Sequence, residues 1–335
     1  MFSETVSSVA IASPIRTGMH LDHYRIEGLA ARSGMASIFR ATDLRTGQLV
    51  AIKVPHPEME CDPVLLECFR REERIGTRLD HPAVMKVLPS AGRSRVYMVM
   101  EWVPGMPLRQ LLNQLQPKLS QERAIAITLA ICDALDYIHQ NCVFHRDLKP
   151  ENVMINAEDH IKLIDFGLAN SSRARRITFA KVSNTMGTPD YISPEQVEGK
   201  FGTARSDLYA LGVMLYEMLT GKVPFEGANP FAAMNARLLN NPVPPRELNL
   251  AVSPQLQEIV YRALERNPNN RYARARDFAW DLQHQYQVSV SDRTELQDWK
   301  PQHRTPWIKR ILSYTGLVLI PSVIFALLLF VARHA

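Results

Sequence analysis

The chain has 335 residues, 46% of them hydrophobic, which is enough by length alone for two or three domains. Its 39 Lys and Arg against 34 Asp and Glu leave a net charge of +5. That excess is modest and local, so it does not call for nucleic acid, and anionic lipid is the simpler counterpart. Cys61, Cys68, Cys132 and Cys142 show no CxxC or metal-site spacing, which argues against a disulfide framework and for a reduced cytosolic domain.

Residues 1–23 hold a short apolar patch around Val9 to Ile11 with no basic region before it, and read as a disordered leader and not a signal peptide. Tyr24-Arg25-Ile26 and Ile38-Phe39-Arg40-Ala41 have strand character on either side of Ala31-Arg32-Ser33-Gly34-Met35-Ala36, which predicts a hairpin with a turn of small residues. Val50-Ala51-Ile52-Lys53 is a further β-branched strand that carries a lysine. Phe69-Arg70-Arg71-Glu72-Glu73-Arg74 begins a charged helix that must stop before Pro82. Gln121 to His139 places Ile125, Leu129, Cys132, Leu135 and Ile138 at helical spacing and reads as core support. His81, His139 and His160 have no ligand-like companions and read as ordinary polar or packed histidines.

Next comes His145-Arg146-Asp147-Leu148-Lys149-Pro150-Glu151-Asn152, and after it two short apolar strands, Val153-Met154-Ile155 and Ile161-Lys162-Leu163-Ile164. The turn Asn156 to His160 between them returns Asp165, of Asp165-Phe166-Gly167, to the side of Asn152. Two hard oxygen donors brought together this way suit Mg²⁺. From Ile311 to Val331 the chain is apolar for 21 residues without a charge, the length a membrane helix needs. Lys300, Arg304, Lys309 and Arg310 precede it, Trp299 and Trp307 sit at the expected interface, and of Lys and Arg only Arg333 follows, which orients the amino-terminal side to the cytoplasm. Pro321 inside the run is tolerated in membrane helices. Residues 286–310 read as a juxtamembrane linker and 332–335 as a short external tail.

Eight consecutive motif residues, followed at the right distance by Asp-Phe-Gly, make the chain resemble the eukaryotic-like serine/threonine protein kinases, and within them the bacterial membrane-bound type. The resemblance covers about residues 24–285. It implies an α+β, two-lobed protein-kinase fold, with a β-rich lobe at 24–103 containing one helix and a helical lobe at 104–285, followed by the single transmembrane helix at 311–331. ATP is expected between the lobes. Phosphoryl transfer needs in-line positioning and charge neutralisation more than covalent help. The resemblance therefore makes Asp147 the group that accepts the hydroxyl proton, with Lys149 beside it as a catalytic residue and as a pointer to Ser/Thr acceptors. Asn152 and Asp165 become ligands for Mg²⁺, with Mn²⁺ as an alternative, and Lys53 holds the ATP phosphates while paired to Glu72, or to Glu73 one position on. Met100 is the gatekeeper of a hinge strand whose Glu101 and Val103 backbones face adenine.

The same resemblance makes residues 30–38 the loop over the phosphates: Ala30, Ala31, Arg32, Ser33, Gly34, Met35, Ala36, Ser37 and Ile38. All three template glycines are replaced there, and only Gly34, off those positions, remains. This departure motivates an alternative reading as a pseudokinase scaffold with impaired ATP use. If the active reading holds, glycine at Ala31 and Ser33 leaves activity equal or higher. A small-molecule phosphotransferase is a third reading, opposed by the full activation segment, which forms a protein-substrate platform.

Within that segment Arg173, Arg175, Arg176 and Lys181 are basic, and Thr178, Ser183 and Thr185 are candidates for autophosphorylation; a phosphate there could pair with Arg146. Thr188 would orient the catalytic loop, Glu195 would pair with Arg271, and Asp207 would hydrogen-bond the catalytic-loop backbone. The expected partners are Ser/Thr-bearing proteins, including the chain itself, and membrane lipid through 311–331, with no nucleic acid. Homodimerisation through the membrane helix is left open. The localisation expected is a single-pass membrane protein with its kinase domain in the cytoplasm, at a bacterial inner membrane in preference to a eukaryotic tail anchor.

Overall fold

A computed structural model describes residues 15–114, 118–165 and 190–291. These belong to one compact unit that ends at Ser291. The expected membrane helix, the linker from residue 292 onward, Phe166, Gly167, Thr188 and the activation-segment serines and threonines lie outside the described residues. No helix among the described residues is long and apolar enough to cross a membrane.

The first lobe is a six-stranded antiparallel sheet. Its strands are β1 (His20–Leu21), β2 (Tyr24–Arg32), β3 (Ala36–Asp43), β4 (Leu49–Pro55), β5 (Val87–Leu88) and β6 (Met98–Glu101), in the order β1-β2-β3-β4-β6-β5. β1 pairs His20 with Arg25 and Leu21 with Tyr24, so the ordered chain begins earlier than the leader expected at 1–23. A two-residue strand has no alternation to read in the sequence, which is why that boundary is invisible there.

Strand alternation decides which way Lys53 faces. Val50, Ile52 and Val54 join Tyr24, Ile26, Phe39, Tyr97 and Val99 in the cluster on one face of the sheet. Ala51 packs on the other face with Met98, Met100, Phe69, Met85 and Val87, and Lys53 shares its parity and lies opposite Met98. The lysine is thus carried by an almost entirely buried central strand toward the helix that covers that face.

After the four-residue helix α1 (Pro57–Glu60), that covering helix is α2 (Pro63–Gly76). It starts earlier than Phe69 because Asp62 caps it, accepting from Val64 N at 2.8 Å and Leu65 N at 3.3 Å, with Pro63 in the first turn. Leu65, Phe69, Glu72 and Gly76 form its buried stripe. A Cβ on Gly76 would stand 2.2 Å from Val87 Cγ2, so glycine lets the helix end lie against β5.

The second lobe contains a small sheet, β7 (Met106–Pro107), β8 (Val153–Ile155) and β9 (Ile161–Leu163), and the helices α3 (Leu108–Gln114), α4 (Gln121–Gln140), α5 (Pro194–Val197), α6 (Ala204–Thr220), α7 (Pro230–Leu239), α8 (Pro245–Leu248), α9 (Pro254–Ala263) and α10 (Ala275–Gln283). α6 is buried over nearly its whole length and forms the centre of this lobe. α4 buries Ala124, Ile127, Ile131, Cys132, Leu135 and Ile138, whereas Ile125 and Leu129 are only half-buried at the edge of the core. The stripe is therefore turned from the one the apolar spacing suggests, because Ala124 and Thr128, which packs with its hydroxyl on Ala124 O at 2.7 Å, take core positions.

β8 and β9 pair as expected, and the turn between them is held by Asn156 Oδ1, which accepts from Glu158 N and His160 N, with Asp159 at φ +60°. Ala83 and Met85 bond to both sides of Leu163, which ties the region ahead of β5 to β9 and brings Asp165 to the sheet of the first lobe.

Candidate active site

Lys53 Nζ donates to Glu72 Oε1 and to Asp165 Oδ1, both at 2.7 Å. Helical phase selects Glu72: it lies on the buried stripe of α2, while Glu73 turns to Arg93. Burial pushes the Glu72 carboxyl up to about 7, against the pull of the Lys53 ammonium. Asp165 is also desolvated, yet the charge and hydrogen bond of Lys53 outweigh this and hold it below the usual carboxylate range. Asp165 sits at φ +63°, a left-handed conformation rare for a residue with a Cβ.

Asp147 lies on the segment that joins α4 to β8. Lys149 Nζ donates to its Oδ2 at 2.7 Å, and Asn152 Nδ2 donates to its main-chain oxygen at 2.8 Å. Lys149 precedes the 3₁₀ turn Pro150–Asn152 and Asn152 ends it, with Pro150 pre-setting its first residue. Ile164 N donates to Asn152 O at 2.9 Å, so Asn152 and Asp165 are held side by side by main chain.

Asp207, almost fully buried near the start of α6, accepts from His145 N at 2.9 Å, Arg146 N at 2.7 Å and His139 Nε2 at 2.8 Å. The carboxylate fixes two consecutive amides where Arg146 stands at φ +65°. His139 is thus a hydrogen-bonded polar histidine, one of the two readings expected for it, and nothing local in the sequence points to Asp207 as its partner. Arg146 Nε donates to Gly202 O at 2.8 Å, and Gln196 Nε2 donates to Arg146 O at 3.0 Å. Glu195 meets Arg271 through both oxygens, at 2.8 and 2.7 Å, with Ser206 Oγ on the same carboxylate.

The loop over the cleft is a hairpin in which Arg32 lies opposite Ser37 and Ala31 opposite Ile38, with a register shift after Leu29 next to Ala30. Ser33 closes its tip. Its Oγ accepts from Met35 N at 3.3 Å and Ala36 N at 3.1 Å, and Ser33 N donates to Ala36 O at 2.9 Å. Three amides near the tip are therefore paired inside the turn, and Gly34 has nothing close to its Cα on the side-chain side. Met35 packs with Met59 and Leu65, and Ser37 Oγ bonds His56 Nε2 at 3.1 Å, which anchors the hairpin to α1 and α2.

In the hinge strand, Met100 is buried and Glu101 N donates to Lys86 O, so of the Glu101 main chain the carbonyl is the group left for a ligand; its side chain takes Lys162 Nζ at 2.6 Å. Val103 is half-buried against the apolar cluster to which Met98 and Met100 belong. One ammonium facing Glu72 and Asp165, with Asn152 adjacent, leaves an excess of hard oxygen donors, which fits a divalent cation shared with phosphate. Among the described residues no group of three or more His, Cys, Asp or Glu is gathered as a metal site.

The family model for the protein kinase domain matches residues 32–286. The chain belongs to that family. Serine/threonine-protein kinase PknB of Mycolicibacterium smegmatis is 37% identical over 272 residues, covering 79% of this chain and 43% of that protein. PknB of Mycobacterium tuberculosis is 36% identical over the same share. The chain spans under half the length of these curated relatives, which place it with the bacterial eukaryotic-like serine/threonine kinases. The solved kinase domain of M. tuberculosis PknI shares the fold at a TM-score of 0.64 and 24% identity, covering 82% of this chain and all of that one.

Around this kinase site Arg109, Glu151, Tyr191 and Glu217 meet, a cluster the sequence does not announce; of the four only Glu151 belongs to the eight-residue motif, where it carries no assigned role. They come from α3, the 3₁₀ turn, the segment before α5, and α6, and no linear spacing connects them.

Proposed function

We propose that this chain is an active serine/threonine protein kinase that moves the ATP γ-phosphoryl group to Ser or Thr hydroxyls of proteins, itself included, and that residues 311–331 tether it to the cytoplasmic face of a membrane. The observation that carries the catalytic part is Lys53 engaged by both Glu72 and Asp165 while Asn152 and Asp147 stand on the facing segment. Bound Mg-ATP supplies the transferable phosphoryl group and the cation that offsets its charge. Asp147 takes the proton of the acceptor hydroxyl as the oxygen–phosphorus bond forms and the bond to ADP breaks. Lys149, bonded to Asp147 Oδ2, fixes the carboxylate and neutralises part of its charge. Asn152 and Asp165 would hold Mg²⁺, and Lys53, oriented by Glu72, would reach the phosphates.

A pseudokinase scaffold is supported by one observation, the internally paired amides of the Ser33 turn, which are not free to contact phosphate. Transfer of labelled phosphate from Mg-ATP to the chain itself and to a generic protein, beside Asp147→Asn, separates the two readings. Label on Ser or Thr that falls roughly 10²–10⁴-fold in the variant supports the kinase. No label with Mg²⁺ or Mn²⁺ favours the scaffold.

A further inference from the structure

Beside the catalytic loop, Arg109 is gripped from three sides. Its Nε donates to Glu151 Oε1 at 2.9 Å, its Nη1 to Glu217 Oε1 at 2.7 Å, and its Nη2 to the Tyr191 hydroxyl, which in turn donates to Glu217 Oε2. Glu151 lies four residues after Asp147, and its side chain is 46% exposed; Arg109 is 26% exposed and Glu217 12%. Asp190 adds a third carboxyl to this corner, raised to about 6 by burial and by the charges of Glu217 and Glu151, against the pull of Arg237 and Arg109.

Removal of the guanidinium would leave two carboxylates without it, Glu151 only four residues along the catalytic loop from Asp147, the group an acceptor hydroxyl has to reach. Such a pair is a receptor for a basic side chain. Here the chain fills it with its own arginine, whose fork satisfies both carboxylates and the phenol at once, a geometry lysine cannot reproduce. The exposed edge of the same guanidinium repels an incoming cation.

We propose that Arg109 is a specificity-determining residue, which occupies the Glu151–Glu217 site from within so that the kinase takes acceptor segments carrying a neutral or acidic residue there. This rests on the kinase reading above.

The test uses the full chain and a set of peptides with one Thr acceptor and Arg, Ala or Glu at each flanking position in turn. Both phosphorylation and binding without turnover are read, the latter by fluorescence anisotropy of labelled peptide. For the wild type the Arg-to-Ala ratio of kcat/KM is expected to be one or less at every position. In Arg109→Ala it is expected to rise at least tenfold at one position, through KM, and Glu217→Gln added to that variant should abolish the gain. A ratio that stays the same in Arg109→Ala overturns the proposal. If Arg109→Ala does not fold, Glu151→Gln at the exposed partner decides: an unchanged ratio supports a site already filled, and a falling Arg preference refutes it. Should the wild type label nothing while Arg109→Ala gains tight binding of an Arg peptide, the kinase reading falls and the filled site stands; without that gain both fall.

Discussion

Glu195→Gln should destabilise the kinase unit by an amount that two independent routes put at the same size. The Arg271 side chain has no exposure, and all five of its N–H groups are used: two on the Glu195 oxygens, the others on the main-chain oxygens of Arg205, Glu265 and Arg266. Gln keeps the shape but presents one donor to a donor and leaves a buried cation without its charge partner, a loss of roughly 3–5 kcal/mol. The second route is protonation. Burial would raise the Glu195 carboxyl, yet the hydrogen bonds and charge of Arg271, helped by Ser206, hold it at about 2, against an ordinary 4.5. At about 1.4 kcal/mol for each unit, that difference corresponds to about 3–4 kcal/mol.

Because the folded-state value is the lower one, this stability is present above pH 4.5 and lost as pH falls through about 2. Calorimetric melting at pH 7 should therefore show Glu195→Gln roughly 6–12 °C below the wild type. The gap should close progressively on acidification below pH 4.5. A loss under about 2 °C at pH 7, or a gap that stays constant down to the acid limit of folding, would refute this account of the pair.

Ser33→Gly frees the amides of Met35 and Ala36, so the KM for ATP should fall several-fold with little change in kcat; a rise would mean the closed turn helps hold nucleotide. Since burial lifts Glu72 to about 7, its ion pair with Lys53 is complete only above that pH. Phosphoryl transfer should decline as pH drops through about 7, and Glu72→Gln should show low activity without that limb. A wild-type profile flat from pH 6 to 8 would contradict the coupling. The full chain should stay with membranes after alkaline carbonate extraction and leave them when residues 292–335 are deleted; full release of the intact chain would sink the tether.

The parts of this site legible in the sequence are those that chain connectivity alone brings together. Asp147, Lys149 and Asn152 share one turn, and a short hairpin returns Asp165 to Asn152, so their spacing was informative. Lys53 was legible through the motif resemblance, with strand alternation giving the face it takes; Glu72 was preferred to Glu73 on the same resemblance, and it is Glu72 that lies on the buried stripe of α2. Arg109, Glu151, Tyr191 and Glu217 come from four separate elements, and His139 reaches Asp207 across two helices. No period or motif records such meetings: the first depends on how α3 and the catalytic loop lie against α6, the second on how α4 crosses α6. The Ser33 turn was hidden for a different reason: a serine in place of glycine reads as a loss, whereas its hydroxyl builds the turn that the glycine would have left loose.

Two residues bearing a Cβ stand in the left-handed region at the site itself, Arg146 at φ +65° and Asp165 at φ +63°. Each such residue costs on the order of 1–3 kcal/mol, and persists only where its surroundings dictate it. Those surroundings are specific. The Asp207 carboxylate takes the His145 and Arg146 amides together, a geometry the left-handed residue makes available, and it is itself set by His139 and the first turn of α6. Asp165 is held through Lys53 to Glu72, and therefore through α2 to the sheet. Strain on the catalytic loop is thus balanced from the helical core and strain at Asp165 from the other lobe. A displacement of α2 that parts Glu72 from Lys53 would relax Asp165 without touching Asp147. That asymmetry makes the Asp165 side of the site, and not the Asp147 side, the part most open to control from the first lobe.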